Sequence, residues 1–505
     1  MANDYIEAAR VFHEVTKHSY TSVRSSPHLL DWDLKPLPYK IYPGAASIAL
    51  PRDLNLTGTP TLTTLTTQIA PESSAPVDIN ALTRIVFCAD GLTRRKSVGG
   101  EDYHFRAAPS AGALYPIEIY VSAGEVEGVE SGLYHFSPAD LRMTGLRRGD
   151  WREYLARAAA NRPSIANASA VIALSAIYWR SAWKYRARAY RYCYWDAGTM
   201  LANLLAAAAA EGISAEVITA FEDPALENLL GIDGDREGMV ALIALGRSEK
   251  HAAPSPDAPA LTLETIPLSA SEVVYNDLTK MHRESRLLAT AEVESVANTK
   301  LESGPPASAG ELLRFNLIEP EEAASLGQTI LRRGSTRVFA RDAISAAELV
   351  TIMAASSEHP RADFPPVTDT YLIVNAVSEM VPGAYYYNRI EHAFELLKAG
   401  DFRGEAGYLC LEQPLGMDCS ALVVYMSDLE RVLEALGNRG YGEAHLEAGI
   451  HGGRAYLAAY SLGRGATGLT FYDDDTTKFF EPHAKGKSPL LMVAVGVPRS
   501  KQPNL

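Results

Sequence analysis

The sequence predicts an α+β fold made of two tandem copies of one unit, each a mixed sheet flanked by helices, the two closing into an intrachain pseudo-dimer. Three observations carry this: a repeat at one offset, a small-residue helix at the same place in each copy, and short β-branched runs between turns. A shift of 251 residues brings Gly132-Leu133-Tyr134-His135-Phe136 onto Gly383-Ala384-Tyr385-Tyr386-Tyr387, Ala197-Gly198 onto Ala448-Gly449 and Gly212 onto Gly463. The same shift puts Phe221-Glu222-Asp223 on Tyr472-Asp473-Asp474, and Tyr120, Arg188 and Tyr190 on Tyr371, Arg439 and Tyr441. One such match is chance; a long series in one register is a duplication.

The elements follow in order. Residues 117–122, 171–178 and 240–245 are short β-branched and aromatic runs that read as strands, and 196–212 (DAGTMLANLLAAAAAEG) is a small-residue helix closed by glycine. In the second copy 371–377, 421–426 and 490–497 take the strand places and 444–463 the helix place. Helices that are apolar or small almost all round belong at the centre, and one in each copy predicts packing across a pseudo-twofold. Between the copies, 251–271 (HAAPSPDAPALTLETIPLSAS) has the Pro, Ala and Ser content of a linker. The expected domains are therefore 1–260, which includes a leader, and 261–505.

Composition narrows the function classes. With 505 residues, 47% apolar and 21% charged, the chain is an ordinary globular protein. Lys plus Arg is 47 against 61 for Asp plus Glu, a net −14, which disfavours a general nucleic-acid or membrane-surface binder. The four cysteines have no zinc-type spacing, and His13, His18, His104 and His135 are scattered, so no metal site is expected. An acidic, mixed N-terminus and the lack of a long apolar run predict a cytoplasmic location.

Three segments could carry chemistry. Residues 106–116 (RAAPSAGALYP) place small residues directly before a strand, where backbone N–H groups can approach a flat ligand; a plain turn into a strand would look similar. Residues 331–337 (LRRGSTR) interleave arginines with a hydroxyl, a set suited to a phosphate monoester or to a solvated stretch, and Ser345 to Glu348 has capping-box spacing. Residues 178–196 (YWRSAWKYRARAYRYCYWD) read as a cationic, aromatic pocket or groove, or as aromatic core with exposed arginines.

Taken with the repeat, these segments resemble the nitroreductase-like FMN flavoprotein superfamily, and within it the SagB-type dehydrogenases that include thiazoline/oxazoline oxidases. The leader resembles that branch from His18 through Asp31-Trp32-Asp33-Leu34-Lys35-Pro36 and Lys40-Ile41-Tyr42 to Leu50-Pro51. So do PSAGALYP at 109–116, GLYHF at 132–136, and KYRARAYRY at 184–192 leading into DAG at Asp196. Residues 333–337 (RGSTR) are similar to the wider superfamily's phosphate motif, and 468–473 (GLTFYD) to its flavin-edge loop. The resemblance implies FMN, and the repeat refines that expectation. The counterpart of the 109–116 platform is 360–366 (PRADFPP), bulky and charged; in the first copy, 61–69 has no arginine at the place of the phosphate motif.

The resemblance thus implies one composite site per chain. Phosphate is assigned to Arg333, Ser335, Arg337 and Arg499, and the ring to Pro109, Ser110, Ala111 and Gly112 opposite Gly468 and Leu469, with the reciprocal site vestigial. Lys184 and Tyr185 resemble the catalytic Lys-Tyr pair of the azoline oxidases. Repulsion from Arg186, Arg188 and Arg191 is expected to depress the Lys184 pKa and make it a base. The implied reaction is oxidation of a peptide-derived azoline or related C–N bond by hydride transfer to flavin. Two alternatives stand: an NAD(P)H-dependent nitro or quinone reductase, and a flavin-free module that binds a partner peptide. Further homo-oligomerisation of the fused pair is left open.

Overall fold

The computed structural model describes residues 3–25, 28–98, 101–301 and 310–499. Each copy builds a seven-stranded sheet. In the first, β1 (Ser47–Ala49), β2 (Ile117–Ala123), β3 (Gly132–Ser137), β4 (Arg142–Arg148), β5 (Ala170–Ile177), β6 (Ala215–Ile218) and β7 (Glu237–Leu245) lie in the order β1-β4-β3-β2-β5-β7-β6. In the second, β8 (Leu312–Arg314), β9 (Asp369–Val374), β10 (Gly383–Asn388), β11 (Ala393–Ala399), β12 (Ala421–Ser427), β13 (Gly465–Leu469) and β14 (Ser488–Gly496) repeat it as β8-β11-β10-β9-β12-β14-β13. Pairing within each sheet is antiparallel. A parallel bridge, Val217 with Ala362, brings in a segment of the other copy. Buried runs such as AVIALSAI in β5 leave no polar face because helices cover both sides.

The 251-residue register holds through the cores: β3 lies on β10, β4 on β11, and helix α2 (Tyr178–Tyr185) on α6 (Leu429–Leu436). Upstream it breaks. Helix α1 (Ile79–Asp90) corresponds to α5 (Ala346–Ser357), but only the first copy then makes a hairpin, Leu92–Val98 with Glu101–Arg106. The Ser345–Glu348 capping box opens α5 as its spacing predicts.

The small-residue helices are longer than their sequence signals, Ala189–Ala210 (α3) and Arg439–Ser461 (α7), and both are buried along most of their length. They pack backbone to backbone. A Cβ on Gly198 would lie 2.4 Å from the Leu446 carbonyl oxygen, and one on Gly449 would lie 2.6 Å from that of Trp195. No bulkier pair permits this approach, so the glycines set how the two domains meet.

The leader straps the pair together. Asn3 donates to the Leu436 carbonyl at 3.1 Å, the Ala9 amide donates to Asn438 at 3.0 Å, and Trp183 donates from its indole to the Asp31 carbonyl at 2.7 Å, before the chain enters the first sheet as β1. The helix Asn276–Ser285 packs on the first domain, where His282 bonds the Tyr178 hydroxyl at 2.9 Å. Among the described residues no helix is long and apolar enough to cross a membrane.

Candidate active site at the domain seam

The platform loop between the hairpin and β2 is bent by three left-handed residues, Gly112, Ala113 and Tyr115 (φ 65°, 54° and 49°). Its side chains turn inward. Ser110 donates to Asp196 at 2.5 Å and accepts from the Tyr115 amide at 2.9 Å. The Ala111 amide donates to the second Asp196 oxygen at 3.0 Å, and Thr199, one turn along α3, donates to the Pro109 carbonyl at 2.8 Å. Gly112 and Ala113 are left exposed at the tip.

Lys184 and Tyr185 stand over that tip. A Cβ on Gly112 would lie 2.8 Å from the Tyr185 hydroxyl and 3.2 Å from the Lys184 amino group. Tyr185 stacks on Tyr192 (4.2 Å, 27°), which hydrogen-bonds Thr470 of the second domain at 3.2 Å. Lys184 is exposed along its length, and partial enclosure of its ammonium together with the Arg337 guanidinium lowers its pKa. The direction is the one expected from sequence; the cause is different. Burial holds the Tyr185 phenol protonated.

The neighbouring arginines are structural, which corrects the reading of 178–196 as a cationic groove. Arg188 and Arg191 are buried and converge on Asp473 of the second domain, at 3.1 Å and 2.7 Å. Arg180 is spent on Glu118 and on the carbonyls of Leu37 and Tyr115. Burying those charges costs more than a lone pairing returns, and each guanidinium is set against a carboxylate and at least one carbonyl oxygen, although Nη2 of Arg180 and Nε and Nη2 of Arg188 have no hydrogen-bond partner among the described residues. The segment is a seam between the domains, and Lys184 is the member that looks into the site.

The second domain supplies the other wall. Arg333 directly follows α4 (Leu326–Arg332); it is buried and has no carboxylate partner among the described residues. Its Nε donates to the Ala107 carbonyl at 2.7 Å and its Nη2 to the Arg106 carbonyl at 2.8 Å, so it clamps the start of the first-domain platform. Ser335 sits 3.4 Å from the Tyr456 hydroxyl, which also accepts from the Gly468 amide. Arg337 is exposed, and the Arg499 amide donates to the Val338 carbonyl at 3.0 Å, so the backbone at Arg499 lies alongside the 337–338 segment. Gly468 is exposed on the edge strand β13, whereas Leu469 is buried. Of the sequence-derived residues, Pro109 to Gly112, Lys184, Tyr185 and Arg333 are joined by direct contacts or through Asp196, with Arg337 coupled by charge; Ser335 and Gly468 meet through Tyr456. Asp196, Thr199, Tyr192 and Tyr456 carry much of this geometry and had no assigned role in the sequence.

At the pseudo-equivalent place the same edge is closed. Val217, the counterpart of Gly468, is fully buried; its amide donates to the Arg361 carbonyl at 2.9 Å and its carbonyl accepts from Asp363 at 3.1 Å. Asp363 is anchored by the Thr219 amide (2.8 Å) and hydroxyl (3.0 Å) and by the Ala220 amide (3.1 Å). The chain's own backbone thus lies along β6. What remains beside Thr67, Gln68, Ile69 and Arg361 is a cavity of about 30 Å³, room for roughly one water.

A duplicated α+β chain with one exposed and one filled seam is two copies of one unit fused into a pseudo-dimer. The Nitroreductase family model matches residues 73–247 and 330–497, and the chain belongs to that family. A nitroreductase-family protein of Methanocaldococcus jannaschii is 32% identical over 174 residues, covering 34% of this chain and 83% of the relative. The trifolitoxin-processing protein TfxB of Rhizobium leguminosarum bv. trifolii is 26% identical over 190 residues, 35% of this chain and 48% of that one. A solved nitroreductase-type structure from Anabaena variabilis superposes over 97% of this chain and 99% of its own, with a TM-score of 0.80 and 26% identity.

Proposed function

We propose that the chain is an FMN-dependent oxidoreductase with one composite site per chain, acting as a dehydrogenase on a peptide-derived azoline or related C–N bond. The observation that carries this is the asymmetry of the seams: Gly468 is exposed on its edge strand and joined through Tyr456 to Ser335, while the Val217 edge is filled by Arg361–Asp363. The residues fit the cofactor. Arg333 is a buried cation without a counter-ion among the described residues, and Arg337, Ser335 and Arg499, close by in the chain fold, would supply donors for a phosphate. The exposed, side-chain-free Gly112 and Gly468 leave flat surfaces for a ring. The SagB-type leader motifs and the match to a protein named for toxin processing support a peptide-derived substrate.

Bound FMN would supply a two-electron acceptor for the substrate's hydride. The chain's residues do the rest. Lys184, its pKa lowered by enclosure and by Arg337, would in its free-amine form take the proton lost from the substrate carbon. Tyr185, kept protonated and stacked on Tyr192, holds a hydrogen-bond donor at the Gly112 tip.

The test is the absorbance spectrum and flavin content of the purified chain. One FMN per chain, lost on Arg337→Ala, supports the composite site; two per chain, or a colourless protein, overturns it. Azole formation under oxygen separates the dehydrogenase from a reductase, which anaerobic NADPH would instead bleach.

A further inference from the structure

We propose that Asp196 is the positioning residue of the platform loop, and that its protonation state decides whether the Ser110 hydroxyl proton points back to helix α3 or out into the site. The inference rests on the flavin reading only for its effect on binding. Both Asp196 oxygens are committed to the loop, one to Ser110 at 2.5 Å and the other to the Ala111 amide at 3.0 Å. The loop needs such a hold. Left-handed Ala113 and Tyr115 are costly conformations that persist only where surrounding contacts over-determine them.

Asp196 is well placed to impose that order. It lies in the turn of α3 that contains Gly198, where the helix touches α7 backbone to backbone, so its position is fixed by the domain seam. Thr199 repeats the hold on Pro109, and Arg333 reaches the loop's start from the other domain. Among the described residues no cation neutralises Asp196, and burial raises its pKa to about 7 against the two donors. The titratable groups facing it are Tyr185 on α2 and Cys193 on α3, both held neutral by burial. Asp90, paired with Arg106, and Tyr115 share with it a void of about 10 Å³.

The proton arithmetic is simple. As a carboxylate, Asp196 can only accept, so Ser110 must donate to it. As an acid it can donate to the Ser110 oxygen, whose other acceptor position is already filled by the Tyr115 amide, and the Ser110 proton is then turned outward.

The test combines hydrogen–deuterium exchange of the 107–116 peptide with FMN titration by fluorescence, on the full chain at pH 5.5 and 8.5, exchange being corrected for intrinsic base catalysis. Asp196→Ala and Ser110→Ala are expected to speed loop exchange about tenfold while peptides of α7 stay unchanged, and Asp196→Glu to restore part of the protection. In the unsubstituted chain loop protection and FMN affinity change about fivefold between the two pH values. In Asp196→Asn, which keeps the shape of the side chain, the loop stays protected and the pH dependence disappears. Unchanged loop exchange in Asp196→Ala, or full pH dependence in Asp196→Asn, overturns the proposal. A loosened loop in a chain that binds no FMN at any pH leaves the positioning role standing and defeats the flavin reading instead.

Discussion

Lys184 and Arg337 come from different domains, yet the charge of one sets the proton affinity of the other. Removing Arg337 takes away a like charge, so the Lys184 pKa rises and less free amine is present at a given pH. Arg337→Gln is therefore expected to shift the ascending limb of the kcat–pH profile to higher pH when FMN is saturating. A limb that stays in place would show that Lys184 is not the titrating base. Lys184→Ala should lower kcat by about 100-fold or more, in the range of a lost general base, with flavin content unchanged. At this scale the sequence was only partly legible. The motifs located Lys184, Arg333 and the platform residues. They did not reveal Asp196 as an acceptor for Ser110, because that bond joins residues far apart in the chain through a fold that periodicity does not encode. They also assigned the lowered Lys184 pKa to its chain neighbours, whereas Arg188 and Arg191 are buried and share the Asp473 carboxylate of the other copy.

Between elements, the duplication was readable because strands and helices keep their spacing, and it failed at the hairpin Leu92–Val98 with Glu101–Arg106, which one copy alone contains. The loss of the platform at 360–366 was equally plain in sequence. Its bridging onto β6 was not, since parallel pairing across the domain seam leaves no local signal. That plug is structural. Asp363→Ala would strand two backbone N–H groups and remove the more distant of two carboxylates beside Arg162, which lies 3.6 Å from Asp363 and 2.7 Å from Glu216. The expected cost is about 3 kcal/mol in urea unfolding. Flavin content of the folded variant should stay at one per chain; a second equivalent would show that the plug alone keeps the reciprocal site closed. The α3–α7 contact gives the complementary case. Gly198→Val forces the helices apart, because its first added carbon already meets backbone atoms, and it is expected to lower the melting temperature and the flavin content together.

Over the whole molecule, the two domains share a core that buries many ionisable groups, and stability therefore depends on pH in a way that single groups can report. Glu443 of α7 is the clearest. It accepts from the Thr219 hydroxyl of the first domain at 2.7 Å, its second oxygen has no hydrogen-bond partner, and burial lifts its pKa from 4.5 to about 7. A carboxyl whose folded pKa lies above its unfolded one binds more protons in the folded state, so its contribution to stability falls as pH rises through that window. Asp90 and Asp196, each raised to about 7, act in the same direction. Half-buried His18 and buried His282, lowered to about 3, and buried His451, lowered to about 4, act in the opposite one: the unfolded chain takes up their protons below about pH 6.5, and stability is lost as pH falls. These contributions offset one another in the unsubstituted chain, which makes its overall slope a poor probe of any of them. Glu443→Gln isolates one. It keeps the Thr219 bond and cannot ionise, so relative to the unsubstituted protein it is expected to gain stability steadily between pH 4.5 and 7.5, measured by urea unfolding at each pH. A difference between the two proteins that stays constant across that range would mean that Glu443 is already ionised in the folded chain, and that the seam between the domains is wetter than its packing shows.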